Sequence, residues 1–453
     1  MNDPPPQPTP WSATGPRHTH PVTPVVKALR VAPGLLVFFF IFGGEGVTKV
    51  LGRPGAVAAI LVMMMITAGA AWLSWRRLTY WFDQDGDLRI HSGIFQRQER
   101  RVQVSRLQSV DVTQPLLARI FGLAQIRPEV AGSSAGATTL EYLSADDAAH
   151  LRAELLARAS GLAVSEHVSA AVAPEQVLVR VPPKTLLASV LLQPLTFVAL
   201  LVAPVVLVGA IGFGAWGIAL PTLILMFTPL FVIGRQFLTW FDFTLADSSD
   251  GLRLRFGLTS HRSQTVPPGR VQAVRLECPL LWRPWGWARV TVNVAGASGG
   301  EDAQERPSVV LPVAPLPIAT AVLAQALPGI DPFAVPLVAA PGRSRWRAPL
   351  QSKRLAVGHN DQVLVARHGW LVPMWDVVPH ARTQSVRLTQ GPWQRRLRLA
   401  SVHIDSTPGP IHITLAHRDE SEARRIVEEQ SHRAKRARVA SSPQRWRSGD
   451  DIS

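Results

Sequence analysis

The sequence predicts a membrane α plus β protein: four transmembrane helices in two hairpins, with three small cytoplasmic units of short strands, each closed by a helical stretch. Three observations predict it. Charge-poor apolar stretches near the length of a bilayer span come in two pairs. One strand-and-turn pattern is written three times, and each copy is followed by a further strand and a helical stretch. At 453 residues the chain has room for roughly two to four folding units.

The first apolar pair runs from Val31 to Leu51 and from Pro54 to Ser74, the second from Thr185 to Val208 and from Gly212 to Gly234. Each member approaches the roughly twenty residues that carry a helix across the hydrocarbon core. Four spans return both termini and every large segment to one side. Lys27, Arg30, Arg76, Arg77, Lys184 and Arg235 flank the spans there, while the opposite side holds only Lys49 and Arg53. The positive-inside bias then makes this a multi-pass membrane protein with its soluble parts and both termini in the cytoplasm. Glu45 and Lys49, four apart with the glutamate first, read as an interfacial ion pair. The stretch from Thr185 to Gly234 has no Asp, Glu, His or Lys with which to couple an ion, which weighs against a secondary transporter.

A net charge of +15 beside such segments points to anionic lipid as the counter-surface rather than to nucleic acid. The single cysteine, Cys278, excludes an intramolecular disulfide and reads as an inert, half-buried thiol. The proline-rich start, residues 1–26, reads as a disordered arm, and the basic end, residues 438–453, as a disordered tail.

The repeated pattern is "SRLQSVDVTQPLLARIFGLAQI" (Ser105 to Ile126), "GRVQAVRLECPLLWRPWGWARV" (Gly269 to Val290) and, more faintly, "ARTQSVRLTQGPWQRRLRLASV" (Ala381 to Val402). The copies are displaced by 164 and then 112 positions, and the difference of 52 is about one helical hairpin with its flanks. The order is therefore hairpin, unit, hairpin, unit, unit. In each copy apolar and polar residues alternate, as in Val110, Asp111, Val112 and Val274, Arg275, Leu276, which marks a half-buried strand. A helical turn follows, closed by Gly122 and Gly286, residues that take a positive φ easily. The third copy has Arg398 there, so its turn has either changed or drifted. Leu316 to Leu337 is apolar enough to suggest a fifth span, but Pro328, Asp331, Pro332 and Pro336 break it, so it reads as a packed domain helix.

On the "SRLQSV" and "GRVQAV" segments, the "LLARIFGL" and "LLWRPWGW" segments, and their place after paired apolar stretches, the chain resembles the bacterial pleckstrin-homology family (bPH2 or DUF304 type, YdbS/YdbT-like membrane proteins). The resemblance covers most of the chain from Leu29 to Ala437, closely in the first two units and loosely in the third. It implies a PH-like β-barrel of about seven strands capped by a helix in each unit. The expected boundaries are an arm at 1–26, hairpin 1 at 27–77, PH-like domain 1 at 78–160, a linker at 161–183, hairpin 2 at 184–236, domain 2 at 237–328, a linker at 329–350, a divergent domain 3 at 351–437 and the tail at 438–453.

No catalytic, metal or cofactor pattern emerges. "GSSAG" (Gly132 to Gly136) and "GASGG" (Gly296 to Gly300) fit a hydrolase nucleophile elbow, but an elbow needs a helix after its serine. A strand follows here, so Ser134 and Ser298 read as hairpin-loop residues. His403 and His412 read as solvated strand histidines. What recurs with charge is Arg106, Gln108 and Arg119, then Arg270, Gln272 and Arg283, then Arg382, Gln384 and Arg395. Arginine forks bind lipid phosphate, and equally pin backbone carbonyls. A repeated fold must repeat its internal contacts, so the structural reading is preferred. The expected function is a non-enzymatic scaffold that binds other membrane proteins or further copies of itself, with anionic lipid contacts secondary and no nucleic-acid partner. The alternatives are a component of an export, efflux or antimicrobial-resistance system, and an anionic-lipid sensor.

Overall fold

The structure, a computed structural model, describes residues 15–38, 46–93, 97–130, 140–160, 176–214, 229–248, 251–266, 269–295, 308–407 and 409–440. Two compact units divide the chain: Met1–Ala173 with Thr259–Gln264, and Pro174–Leu258 with Thr265–Ser453.

In unit 1, the short strand β1 (Arg17–His18) is followed by helices α1 (Thr23–Phe38) and α2 (Gly46–Arg77), which pack against each other. Three further strands, β2 (Thr79–Phe82), β3 (Leu88–Ser92) and β4 (Gln98–Val102), complete an antiparallel sheet in the order β1, β2, β3, β4. Strands β5 (Leu107–Pro115), β6 (Leu123–Val130) and β7 (Leu140–Ser144) form a second antiparallel layer, and helix α3 (Ala145–Ser160) follows. Alternation decides what faces inward. Leu88 and Ile90 enter a core with Val102, Val110, Ile126, Leu140, Leu151 and Leu155, while Arg89 and His91 on the other face of β3 pair with Glu99.

Unit 2 holds the same plan twice. Strand β8 (Gln176–Arg180) precedes helices α4 (Pro183–Leu191) and α5 (Pro194–Gly212) and a helical stretch at 229–240. Then come β9 (Thr244–Ser248), β10 (Gly251–Phe256), β11 (Ser260–Val266), β12 (Val271–Glu277), β13 (Trp287–Val294), β14 (Val309–Pro315) and helix α6 (Leu316–Ala326). The third set is β15 (Val338–Ala339), β16 (Ala356–His359), β17 (Val363–His368), β18 (Met374–Pro379), β19 (Ser385–Thr389), β20 (Leu399–Asp405), β21 (Ile413–Asp419) and helix α7 (Glu420–Ala440). Among the described residues each repeat thus has seven strands and a terminal helix. Residues Thr259–Gln264 of β11 belong to unit 1, where Ser260 to Ser263 pair with β5.

The helical insertion sits between the first and second strands of a repeat, not between domains. β1 pairs with β2 across α1 and α2, and β8 pairs with β9 across α4 and α5. β15 pairs with β16 across residues 340–355, where the insertion has shrunk to short turns. Four expected boundaries move. The segment from Gly15 to Val22 is not an arm, since Trp75 Nε1 of α2 donates to the Thr19 carbonyl at 2.9 Å and His20 donates its backbone amide to Tyr142 at 3.0 Å. The expected linkers 161–183 and 329–350 contain the first strands β8 and β15. The tail starts later, because α7 runs to Ala440.

The four transmembrane helices are corrected. Among the described residues no single helix is long and apolar enough to cross a membrane. The expected turn at Leu51 to Pro54 lies inside α2, which runs unbroken through Lys49, Arg53 and Pro54. In the second stretch Pro183 and Pro194 each open a new helix, a position where the missing N–H costs nothing. Leu191 to Thr196 therefore breaks the run, and Pro183–Leu191 and Thr196–Gly212 meet at a bend of 58°. Residue Glu45 and residues 215–228 lie outside the described residues. The apolar stretch from Leu316 does end at Ala326, as its prolines require.

Trp282, fully buried, ties the insertion of the second repeat to that repeat's core: its Nε1 donates to the Ser189 carbonyl of α4 at 3.0 Å. We expect Trp282→Ala to lower the unfolding free energy by about 3–5 kcal/mol, and Trp282→Phe, which keeps the packing, by about 1–3 kcal/mol through the orphaned carbonyl. Urea denaturation of the full chain in mild detergent measures both; a Phe variant as stable as the wild type would show that this bond contributes nothing.

Candidate interaction site at the strand junction

Strand β12 pairs with β13 on one side and with β18, the fourth strand of the next repeat, on the other. Arg275 and Asp376 lie directly opposite across this second pairing. Arg275 donates from Nε to Oδ1 at 2.6 Å and from Nη2 to Oδ2 at 2.8 Å, the two-pronged geometry that suits guanidinium and carboxylate. His368 on β17 places Nε2 2.9 Å from the same Oδ2. Asp376 is fully buried. Burial pushes its pKa up, but the hydrogen bonds from Arg275 and His368 and their charges outweigh it, and the carboxyl stays below its ordinary value. For Arg275 burial acts downward, and Asp376 outweighs it to hold the guanidinium above its ordinary value.

Other polar groups close the same junction. Asn293 of β13 donates to the Ile411 carbonyl at 2.9 Å and accepts from its amide at 3.1 Å, so one side chain stands in for a strand. A Cβ on Gly409 would lie 2.4 Å from Asn293 Oδ1, which fixes glycine there. Cys278 and Leu280 donate their amides to Pro373 and Leu371 at 2.9 and 2.8 Å. Cys278 itself is half-buried, and burial pushes its thiol up to about 11. The pairing is periodic: Leu276 faces Trp375, and Val112 faces Ser263, with displacements of 164 and 112 positions, the same as in the sequence repeat.

The nine recurring residues do not form one site. Arg106 and Arg119 flank opposite ends of the nine-residue strand β5, about 30 Å of extended chain, and Arg270 and Arg283, and Arg382 and Arg395, likewise flank β12 and β19. Arg382 donates from Nη2 to the Gly269 carbonyl, so this member pins one repeat to the next. Arg270 is half-buried, Gln272 is buried and donates to the Arg270 carbonyl at 3.3 Å, and Gln384 is exposed with its backbone amide on Asp405. The Gln108 side chain, Ser134 and Ser298 lie outside the described residues. Arg106, Arg119, Arg283 and Arg395 are exposed.

The last three of these sit on the turns after β5, β12 and β19, which share one geometry. Gly122, Gly286 and Arg398 all have left-handed φ, +65°, +61° and +48°. Their amides donate to Arg119, Arg283 and Arg395 at 2.9–3.0 Å, and their carbonyls accept the amides of Ala145, Leu316 and Glu420 at the starts of α3, α6 and α7. Arg398 therefore keeps the turn that glycine makes elsewhere, at the steric cost of a side chain in that conformation. Of the two histidines expected to be solvated strand residues, His403 lies on β20, half-buried and bonded to Thr389 at 2.8 Å and Thr414 at 3.1 Å, and His412 is exposed just before β21.

Four antiparallel strands, three more, and a closing helix define the pleckstrin-like class, and this chain carries the plan three times. It belongs to the bacterial PH domain family, whose profile matches residues 33–159, 186–330 and 310–434. It is similar to the UPF0699 transmembrane protein YdbT of Bacillus subtilis (strain 168), 26% identical over 143 residues, which is 30% of this chain and 28% of that protein. The chain thus matches less than a third of that relative's length. No solved structure matches it.

Because Asp376 is buried with Arg275, removing one partner strands the other's charge. Asp376→Asn is expected to cost about 3–5 kcal/mol, and Arg275→Met with Asp376→Leu to recover most of it. A carboxyl held below its ordinary pKa contributes stability that is complete above the unfolded value and is lost as pH falls through the folded one. Denaturation midpoints measured from neutral pH into the acid range should fall steeply for the wild type below the ordinary carboxylate range, and less steeply for Asp376→Asn. Equal slopes would contradict the assignment.

Proposed function

We propose that this chain is a non-enzymatic, membrane-associated scaffold whose interlocked PH repeats hold other proteins at the bilayer. The observation that carries the membrane part is the surface of the inserted helices. On α2, Leu61, Met65 and Ile66 are exposed, and on α5, Leu201, Val205 and Val208 are exposed. Soluble proteins seldom present apolar side chains in continuous helical runs of this kind, because each costs free energy in water. The name of the Bacillus relative, a transmembrane protein, supports the same reading.

Support for the scaffold part comes from how the repeated polar residues are used. Arg275, Asp376, Asn293 and Arg382 are spent on joining the second repeat to the third, so these polar side chains serve assembly of the repeats rather than catalysis. Domains held together beside a bilayer meet their ligands at high effective concentration. Non-denaturing extraction from native membranes should therefore recover other membrane proteins, or further copies of the chain, in fixed ratio; recovery of the chain alone as a monomer would contradict this part.

The membrane part is tested by fractionation. The wild type should sediment with membranes and resist a wash in about 1 M salt, where the screening length is about 3 Å and electrostatic attachment is lost. Met65→Asp, Ile66→Asp, Val205→Asp and Val208→Asp combined should move the chain to the supernatant. Release of the wild type by salt would show attachment through charge alone.

A further inference from the structure

The third repeat has no long helices between its first two strands, yet the corresponding corner is distinctive. Where the other repeats hold α1 with α2 and α4 with α5, the segment 340–355 carries Arg345, Trp346, Arg347 and Leu350, all exposed. The neighbouring turn after β19 adds Trp393, Arg395 and Arg396, also exposed. The two segments adjoin. Arg343 donates from Nη2 to the Arg398 carbonyl at 3.1 Å and also binds Asp419. Gln394 Nε2 lies 2.9 Å from Nδ1 of His417, a residue whose pKa is lowered by burial and then by the charge of Arg347.

The same corner is a contact point in the other repeats, where the turn after β5 touches α1 and the turn after β12 reaches α4 through Trp282. The insertion and that turn are one surface three times over. In the first two repeats the insertion is long and apolar. In the third it is short, and with the adjoining turn it exposes two indoles and a leucine: Trp346 is 67% exposed, Leu350 60% and Trp393 55%. The Arg345 guanidinium lies 5.6 Å from the Trp346 ring centre. Nearby carboxylates are already engaged, Asp419 by Arg343 and Glu420 by Arg424 at 2.9 Å.

We propose that this corner of the third repeat docks on an anionic bilayer surface, with Trp346, Leu350 and Trp393 entering the headgroup layer and Arg345, Arg347 and Arg396 pairing with lipid phosphate. Indole rings settle at that depth, and arginine stems lie on apolar surface while their forks reach phosphate oxygens. The proposal rests on the membrane reading above, which brings the bilayer within reach. It gives the third repeat a reversible contact where the first two carry their apolar helices.

The test places an environment-sensitive dye at Gln351→Cys in the full chain, with Cys278→Ser, reconstituted with phosphatidylcholine vesicles with or without about one third phosphatidylglycerol. The dye should shift to the blue and brighten only with phosphatidylglycerol, and the response should vanish in about 1 M salt. Arg345→Glu, Arg347→Glu and Arg396→Glu together should abolish it, while the three Lys variants, which keep the charge, retain most of it; circular dichroism checks that both sets are folded. Equal dye response on both vesicle types, or a response untouched by charge reversal, would overturn the proposal. A response to inorganic phosphate or to an oligothymidine without vesicles would overturn it in favour of a soluble anion or a nucleic acid. Sedimentation of the same samples separates the two claims: a chain that does not sediment with vesicles fails the membrane reading, whereas one that sediments with a silent dye fails only this inference.

Discussion

The architecture depends on one constraint, that the edge of a β-layer must be paired or blocked. A strand edge left open exposes backbone donors and acceptors and invites stray pairing. Here the second layer of one repeat is completed by the fourth strand of the next, as β18 completes β12, and the buried pair of Arg275 with Asp376 locks that register. Among the described residues two strands of this junction type have no neighbouring repeat to pair with: β4, the fourth strand of the first repeat, and β19, the fifth strand of the third. Both are charged. Positions that are Val377 and Trp375 beside β12 are Arg101 and Glu99 in β4, ion-paired to Asp87 and Arg89, and Arg387 in β19 turns to Asp405 of its own sheet. Terminal repeats with polar outer faces are what keep a repeat array finite and soluble.

Placing the insertion between the first and second strands follows from the same logic. A short first strand needs only a few ladder bonds to its neighbour, so the chain tolerates a long excursion before the second strand begins, and loop length adds little to the closure cost. The excursion can then change character without disturbing the barrel. It is helical and apolar in two repeats, and short and rich in arginine and tryptophan in the third. Trp75 in the first repeat and Trp282 in the second tie the excursion back to the strands, so the helices are fixed to the β-structure beside them.

Much of this was legible in the sequence. The thrice-written segment is the fifth strand and its turn in every repeat, and the strand and helical stretch expected after each copy are there. The first strands were not legible: Arg17–His18 and Val338–Ala339 are two residues each, too short for alternation to register, and they are separated from their partners by the insertion. The domain limits therefore fell short at each start. The spans were misread because hydropathy reports composition, while prolines at 183 and 194 and the unbroken course of α2 through Pro54 decide where helices begin and end. Arg398 concealed a turn that glycine would have advertised. Asp376 carried no sequence signal, because its importance lies in facing Arg275 from 101 positions away.

The second and third repeats are one structure joined through β12 and β18, not two beads on a string. Amide hydrogen exchange of the intact chain measures this most directly. Amides of Val271–Glu277 and Met374–Pro379 should be protected together and open with a single free energy, the highest in unit 2. Exchange of the β18 amides through a separate, lower-energy opening while β12 stays protected would contradict it.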